Sequence, residues 1–349
     1  MVGVLHALGK QSMRIALLNL RKLWRKMPKG GKVWVILIGP TIRSFARLAS
    51  LSRARGWETI SSVKLEGFHT QIPAIKYLIN LIPTKTISAI LFSGHASGWM
   101  IGGWRRPQPL MSLEQFNRYV LDRFKPRFVA WNTCLMGSMA SLYGLPSYVK
   151  VSIASPGLFP SKTVLYASQA FADSTAHKHQ SIESWMVLAN AMADEWHHGA
   201  KHDPVRCLLV FDVERVKKLA PIIRRLWPQL VFDKRAQIHN TPGDGQLFDL
   251  WTAARHFPQL QRKILECVKN SEQALVKTDC CFPCRRSRAM SVEARAPKKF
   301  MEIHANAKWT QFLGNVIHHP PSRPSHRSAL PRHTRFPTIP RNIPPLTKR

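Results

Sequence analysis

Acidic residues are scarce in this chain of 349 residues and absent from both of its ends. The first carboxylate is Glu58 and the last is Glu302, and the 19 acidic residues face 52 lysines and arginines, which gives a net charge of +33. Such a charge favours solubility, anionic partners or a basic appendage, and it says nothing about the fold. Six cysteines in a chain of this length exclude a small disulfide-stabilised scaffold.

Long apolar runs and nucleotide-binding loops are also missing. No apolar run reaches the ~20 residues of a membrane-spanning helix, and no Walker-type or GxGxxG loop follows a predicted strand. The N-terminus lacks an apolar block followed by small residues, so no secretory signal is predicted and the cytoplasm is the default expectation. Hydrophobic residues still make up 45% of the chain, which is enough for a folded core.

The two ends of the chain differ from its middle. Residues 1–57 hold 12 lysines and arginines, and the apolar residues among them predict a basic, partly amphipathic helix over residues 1–28. We favour a solvated helix or a removable pro-segment over a transit-type or membrane-surface segment. Residues 303–349 hold eight prolines and eight basic residues, which predicts a disordered tail. The expected division is a basic N-terminal segment (1–30), a folded domain (31–279) and a basic, proline-rich tail (280–349).

The middle of the chain alternates between buried strands and helices. Nearly continuous apolar runs rich in β-branched residues predict strands, and the segments between them have helical spacing. This alternation predicts an α/β fold with a mostly parallel sheet covered on both faces. The predicted strands are 32–39, 86–93, 127–132, 149–154 and 207–212, and the predicted helices are 70–82, 113–124 and 213–226.

Chemically active side chains follow the ends of three predicted strands. His95, Cys134 and Ser155 all stand there, and reactive groups of parallel sheets collect beyond the carboxyl ends of the strands. Cys134 also precedes a predicted helix start, whose dipole would favour the thiolate. A histidine beside such a thiol can manage its proton, and nearby backbone N–H groups can hold an oxyanion. The pattern predicts amide or ester cleavage through a thioester; the alternative is a buried cysteine and a hydrogen-bonded structural histidine.

A metal site is the weaker interpretation of the remaining cysteines and histidines. Cys281 and Cys284 have a C-x-x-C spacing, but no second pair is nearby in the sequence. His197, His198 and His202 lie on a polar stretch, where histidines are usually solvated. No metal site is therefore predicted.

Three sequence motifs resemble those of a known protein family. Residues 93–99 (SGHASGW) and 132–138 (NTCLMGS) resemble the histidine and nucleophile motifs of clostripain-like cysteine peptidases of the caspase-like clan. Residues 154–157 (ASPG), followed by Tyr166, resemble the segment beside that family's specificity pocket. Weaker similarities lie at 208–219 and 247–250, so the resemblance spans about residues 31–265.

The resemblance implies a caspase-like three-layer α/β/α sandwich and a cysteine endopeptidase that acts on a peptide or protein substrate. His95 would be the general acid/base and Cys134 the nucleophile of a dyad with no required third member. The backbone N–H groups of Ala96 and Cys134 would bind the oxyanion. Substrate contacts would come from three further residues: Asn132, Ser155 and Trp99.

Two departures from the family pattern affect these expectations. Ala96 replaces the usual glycine, and its methyl group would crowd the substrate or shift an oxyanion donor. Asn132 replaces the usual aspartate, so the family's preference for arginine or lysine before the scissile bond loses its charge partner. The alternative is a catalytically inactive pseudopeptidase whose basic ends bind nucleic acid or a membrane surface. The family's calcium dependence has no matching acidic cluster here, so no cofactor is predicted.

Overall fold

A computed structural model describes most of the chain between its two ends. The described residues are 2–7, 33–38, 58–61, 89–93, 96, 98, 100–101, 111–158, 181–201, 207–241, 245–272, 275–278, 281–286 and 288–295.

An eight-stranded, mostly parallel sheet forms the centre of the fold. Its strand order is β12-β9-β8-β7-β4-β1-β2-β3, and only β9 and β12 at one edge run antiparallel to their neighbours. The six strands from β8 to β3 in this order are parallel, so their carboxyl ends lie along the same side of the sheet, called its carboxyl edge below. The strands are β1 (Val2–Ala7), β2 (Val33–Ile38), β3 (Glu58–Ser61), β4 (Ala89–Ser93), β7 (Phe128–Asn132), β8 (Val151–Ala154), β9 (Leu209–Asp212) and β12 (Val268–Lys269).

Within the described ranges, six helices accompany the strands, and a short 3-10 helix, Trp227–Gln229, follows the fourth of them. Helical residues 113–124 form α1, in which a π-helical stretch, Asn117–Leu121, separates the turns Leu113–Phe116 and Asp122–Phe124. A capping box starts α1, because the Ser112 hydroxyl accepts the Gln115 N–H at 3.2 Å and the Gln115 side chain accepts the Ser112 N–H at 2.9 Å. The others are α2 (Met139–Gly144), α3 (Ile182–Gly199), α4 (Val213–Leu226), α5 (Leu250–Ala253) and α6 (Pro258–Glu266).

Strand β7 shows how the helices cover both faces of the sheet. Successive strand residues point to opposite faces, so Phe128 and Trp131 face opposite sides. Phe128 stacks on Trp185 of α3, with ring centroids 5.5 Å apart, whereas Trp131 packs against Phe116 of α1 at 5.4 Å. Helices α3 and α1 therefore lie on opposite faces, and the three-layer α/β/α architecture is confirmed.

Smaller sheets complete the described fold. Strands β10 (Gln237–Thr241), β11 (Gly245–Asp249) and β15 (Ser291–Arg295) form an antiparallel sheet. Two-stranded pairs form from β5 (Met100–Ile101) with β6 (Met111–Ser112), and from β13 (Leu275–Thr278) with β14 (Cys281–Arg286). No helix within the described residues is both long and apolar enough to cross a membrane.

The N-terminal helix prediction is wrong over residues 2–7. These residues form β1, which lies inside the sheet with β2 on one side and β4 on the other. The run VGVLHA has the apolar, β-branched character of a buried strand, and tertiary pairing outweighs the helical spacing that follows it. The folded domain thus includes residues before the predicted start at residue 31. The rest of the predicted N-terminal helix lies outside the described residues.

The predicted irregular tail is wrong at its start. Residues 281–286 form β14 and residues 291–295 form β15, whose partner is β11. Ala289, Met290 and Val292 are buried in the main hydrophobic core. The folded domain therefore extends past the predicted boundary at residue 279, because an apolar segment pairs with a distant strand. Residues 296–349 lie outside the described part of the chain.

The bounds of the other predicted strands and helices that the structure describes agree with it to within three residues, and one strand is antiparallel to its neighbour. The last predicted strand, 207–212, becomes β9 and runs antiparallel to β8. Its helix 213–226 is confirmed as α4, and the helix predicted over 113–124 is confirmed as α1. The helix predicted over 70–82 lies outside the described residues.

Candidate active site

The carboxyl ends of β4, β7 and β8 lie next to one another at the carboxyl edge of the sheet. Ser93 of β4 is in register with Asn132 of β7, and Ala130 of β7 is in register with Ile153 of β8. Cys134 follows Asn132 by two residues, and Ser155 directly follows the end of β8. The predicted convergence of strand ends is therefore present, and it brings Cys134 and Ser155 to the same edge as the end of β4.

Cys134 lies at the border between this edge and a small apolar cluster. Its side chain is half-buried and in the reduced form. It packs against a cluster formed by Leu135, Cys207, Ile238 and Leu247. This position supports the thiol by apolar contacts and leaves the residue partly accessible, as a nucleophile requires.

The turn after Cys134 is held by backbone contacts with the segment that follows β8. Leu135 has a left-handed backbone (φ 65°), and its N–H donates to the Gly157 carbonyl at 2.8 Å. The Gly137 N–H donates to the Ser155 carbonyl, also at 2.8 Å. On the other side, the Gly137 carbonyl accepts the Ser291 N–H at 3.2 Å. These bonds tie the position of Cys134 to two segments that are distant in the sequence.

Gly137 is required at its position because the backbone of the next segment is too close for a side chain. A Cβ atom at Gly137 would lie 2.6 Å from the Pro156 nitrogen and 2.8 Å from the Ser155 carbonyl carbon. Backbone atoms cannot rotate away from such a contact. The turn after Cys134 and the segment after β8 therefore pack at a distance that only glycine permits.

The predicted helix dipole at Cys134 is wrong in its placement. Helix α2 begins at Met139, with Ser138 as its N-cap, so the turn 135–137 separates it from Cys134. The helix has six residues, and the Ser138 hydroxyl already accepts the Ser141 N–H at 3.2 Å. Because dipole effects fall off within the first turn, α2 is a weak source of thiolate stabilisation.

Ser155, for which a contact with substrate is predicted, is buried. Its side chain is fully inaccessible, and its hydroxyl donates to the Gly157 carbonyl at 2.9 Å while accepting the Gly157 N–H at 3.2 Å. It also lies beside the buried Cys207 thiol, where it opposes the rise in pKa that burial causes. The Ser155 hydroxyl therefore closes a turn beneath the site, and the substrate contact predicted for this residue stays a prediction.

The segment after β4 is described at Ala96 and Gly98. Ala96 is buried and forms an antiparallel bridge with Ile101. Gly98 has a positive φ of 88° and lies close to Leu135, Ser138 and Ser141. The Ser141 hydroxyl donates a hydrogen bond to the Gly98 carbonyl. The segments that follow β4 and β7 are thus in direct contact.

Of the remaining predicted side chains of the site, the structure describes Asn132 but not His95 or Trp99. Asn132 ends β7 and is half-buried, so it lies at the same edge as Cys134. His95 and Trp99 lie outside the described residues. Their predicted roles, and those of Asn132 and the backbone N–H groups of Ala96 and Cys134, stay predictions.

Two buried titratable groups lie beneath the site. Burial raises the pKa of the Cys207 thiol to about 12, so this thiol is neutral and unreactive at neutral pH. Burial also raises the pKa of Asp249 above its usual value, although hydrogen bonds from Thr252 and Ala289 oppose this rise. Asp249 caps α5 and holds the Ala289 backbone, which gives this carboxylate a structural role.

Sequence reasoning missed Gly137, Ser141 and Cys207. Only the wording of the nucleophile motif pointed to Gly137, and no local pattern distinguished Ser141 or Cys207 from ordinary helix and strand residues. Nowhere in the described ranges do three His, Cys, Asp or Glu side chains gather as a metal site would require. His197, one of the histidines considered for zinc, is buried, and its Nε2 lies 2.8 Å from the Leu208 carbonyl.

The sequence matches no protein-family model and no curated protein. The structure is similar to a secreted C11 cysteine protease from Bacteroides thetaiotaomicron, with a TM-score of 0.62, 11% identity, and coverage of 90% of this chain and 98% of that chain. A second structure of a secreted C11 cysteine protease from the same organism, in complex with an irreversible peptide inhibitor, has a TM-score of 0.59, 10% identity, and coverage of 89% and 98%. An inactive zymogen C11 protease from Parabacteroides distasonis has a TM-score of 0.60, 12% identity, and coverage of 89% and 97%. The chain therefore shares the caspase-like fold of C11, or clostripain-like, cysteine proteases over most of its length.

Proposed function

We propose that this chain is a cysteine endopeptidase that hydrolyses peptide bonds through a thioester on Cys134. The observation that carries the proposal is the position of Cys134: a half-exposed thiol at the edge of the sheet, beside the end of β4, in a chain with the fold of C11 cysteine proteases. The motif resemblance at residues 93–99 and 132–138 assigns the same cysteine and adds His95.

In the proposed reaction, His95 takes the proton of Cys134 and the thiolate attacks the carbonyl carbon of the scissile peptide bond. The tetrahedral intermediate collapses to a thioester when His95 returns the proton to the leaving amine. Water, deprotonated by His95, then attacks the thioester carbon; the C–S bond breaks, the Cys134 sulfur takes the proton back from His95, and the acid product departs. At the end of the cycle, His95 and Cys134 have returned to the protonation states in which they began.

The backbone hydrogen bonds around Cys134 reduce the number of N–H groups that could bind the oxyanion. The N–H groups of Leu135 and Gly137 already donate to the Gly157 and Ser155 carbonyls, so neither serves the oxyanion in this arrangement. This supports the predicted pair, the N–H groups of Ala96 and Cys134. Two such donors stabilise the developing charge most when they are held in place before the reaction.

Asn132 is the proposed specificity residue. It ends the strand that precedes Cys134 and is half-buried, so a substrate side chain can reach it from the solvent side. Its amide donates and accepts hydrogen bonds but carries no charge. We therefore propose a preference for polar or neutral residues before the scissile bond rather than a strict requirement for arginine or lysine.

The decisive experiment is cleavage of a diverse peptide mixture by the purified protein, read by mass spectrometry, with Cys134→Ala as the test variant. Cys207→Ala is the matched control, because it removes a thiol from the apolar cluster beside Cys134 and keeps the proposed nucleophile. We expect cleavage by the wild type and by Cys207→Ala, and none by Cys134→Ala, with all three folded by circular dichroism.

The opposite result would identify the alternative function. If folded wild-type protein cleaves no peptide with reductant, with or without calcium, the chain is a pseudopeptidase. Equal cleavage by the wild type and Cys134→Ala would instead assign the activity to a contaminant or to another residue.

A further inference from the structure

We infer that Ser141 is a positioning residue that aligns the segment carrying His95 with Cys134; this inference rests on the proposed function. Ser141 lies on α2, after the nucleophile, and its hydroxyl donates to the carbonyl of Gly98, three residues after His95. This side-chain hydrogen bond joins the two segments on which the proposed dyad lies.

The direction of the hydrogen bonds around Ser141 follows from the acceptor. A carbonyl oxygen only accepts, so the single hydroxyl hydrogen of Ser141 is committed to Gly98. The Ser138 hydroxyl, 2.7 Å away, must then donate to Ser141 while it accepts the Ser141 N–H at 3.2 Å. The result is a chain of two hydrogen bonds, from the Ser138 hydroxyl to the Ser141 hydroxyl and from there to the Gly98 carbonyl, in which each hydroxyl has one defined orientation.

This chain of hydrogen bonds is rigid at its α2 end. Ser138 and Ser141 are buried, and the neighbouring Met139 and Leu142 belong to the main hydrophobic core. A buried hydroxyl cannot exchange its partner for water without cost, so the bond to Gly98 is kept. Helix α2 therefore acts as a fixed reference for the segment after β4.

Gly98 shows that the opposite segment is fitted to this reference. A Cβ at Gly98 would lie 3.2 Å from the Ser138 hydroxyl oxygen and 3.4 Å from the Leu135 carbonyl oxygen, and the φ of 88° disfavours any other residue. Ala96, between His95 and Gly98 in the sequence, is held by its bridge to Ile101. The segment thus has two anchors within three residues of His95.

Alignment of an imidazole with a thiol has a measurable consequence. A cysteine paired with a histidine has a thiol pKa well below the ordinary value of ~8.5, because the imidazolium stabilises the thiolate. If the Ser141 bond sets the alignment, its loss should weaken the pair and raise the pH at which Cys134 becomes reactive. A purely structural role of Ser141 would lower the melting temperature and leave this pH unchanged.

The test is the pH dependence of iodoacetamide alkylation of Cys134 in the full chain, quantified on its peptide by mass spectrometry. We expect Ser141→Ala to raise the midpoint by about half a unit to one unit, which slows alkylation ~3- to 10-fold at a pH about one unit or more below the wild-type midpoint. For peptide cleavage we expect kcat to fall about 10- to 100-fold with little change in KM, because alignment acts on the reacting atoms.

Ser152→Ala is the matched control. Ser152 is a buried serine in β8 whose hydroxyl has no hydrogen-bond partner among the described residues, so this variant removes the same atoms without a bond. We expect its alkylation midpoint and kcat to equal those of the wild type. An equal shift in Ser152→Ala would overturn the inference, because the effect would then be a general one of the fold.

The variant His95→Ala separates the inference from the function on which it rests. If His95→Ala raises the midpoint and Ser141→Ala does not, the dyad stands and the role of Ser141 is overturned. If His95→Ala leaves the midpoint unchanged, the dyad and the inference fall together. Should Ser141→Ala not fold, Gly98→Ala disturbs the acceptor of the same bond, because its Cβ would lie 3.2 Å from the Ser138 hydroxyl oxygen at a φ of 88°, and an unshifted midpoint in that variant overturns the inference.

Discussion

Replacing Gly137 by alanine tests the packing that holds the turn after Cys134. The new Cβ would lie 2.6 Å from the Pro156 nitrogen and 2.8 Å from the Ser155 carbonyl carbon, where ordinary contacts begin at 3.4 Å. The two backbone segments would have to separate by about 0.8 Å. Such a movement stretches the bond from the Gly137 N–H to the Ser155 carbonyl, now 2.8 Å long.

The expected cost follows from two contributions. Overpacking a well-packed site costs about 1–3 kcal/mol, and a lost buried hydrogen bond adds ~1 kcal/mol. Alanine also reduces the entropy of the unfolded chain, which stabilises the protein by less than ~1 kcal/mol. We therefore expect the free energy of unfolding to fall by about 1–4 kcal/mol, compared with the ~5–15 kcal/mol of a typical domain.

Urea denaturation followed by circular dichroism measures this change, and Gly144→Ala is the control. A Cβ at Gly144 would meet only the end of the Leu113 side chain, at 3.3 Å, which can rotate away. Since Gly144 is helical, alanine there should change stability by less than ~1 kcal/mol, in the stabilising direction. A Gly137→Ala variant as stable as Gly144→Ala would refute the close-packing argument.

Three further predictions concern titration and specificity. At pH 7, iodoacetamide should modify Cys134 at least about tenfold faster than Cys207, because burial raises the pKa of the Cys207 thiol to about 12; peptide mass spectrometry measures both rates, and equal rates would contradict the burial of Cys207. Asn132→Asp should raise the preference for arginine or lysine before the scissile bond about tenfold in kcat/KM, through the added carboxylate, and an unchanged ratio in the peptide mixture would remove Asn132 from the substrate pocket. Asp249→Asn should lower the free energy of unfolding by about 1–3 kcal/mol at pH 4, because an amide NH2 would face backbone N–H donors. Because the pKa of Asp249 is raised in the folded protein, its stabilising contribution is complete below its ordinary pKa and becomes weaker as the pH rises. The difference in free energy of unfolding between the wild type and Asp249→Asn should therefore narrow from pH 4 to pH 7 in urea denaturation. A difference that widens over this range would contradict the prediction.

The predictable part of the fold is the part that local patterns determine. The apolar runs that form β7 and β8 are buried along their length, and such runs stand out in any sequence. The start of α1 is predictable from Ser112, because a capping serine acts on N–H groups within three residues of itself. The same locality explains why the apolar run at 127–132 is enough to place Cys134 just past the end of a strand.

The errors lie where distant segments meet. The spacing of apolar residues around residues 2–7 predicts a helix, but these residues pair with β2 and β4, and no nearby residue signals these partners. Spacing also did not reveal that the Ser155 side chain is fully buried, where its hydroxyl bonds to Gly157 and lies beside Cys207, a residue 52 positions away in the sequence. Burial of this kind depends on which segments pack together, and spacing along the chain does not contain that information.

By itself, the sequence determined which segments become buried strands, where helices α1 and α4 begin, and which cysteine follows a strand end, because hydrophobic period and capping act within a few residues. The tertiary structure alone decided the place of β1 in the middle of the sheet, the antiparallel direction of β9, and the contact of Gly137 with Pro156. It also decided that Cys207 is buried while Cys134 is half-exposed. These features depend on contacts between residues far apart in the chain, and such contacts exist only once the strands have paired and the core has closed.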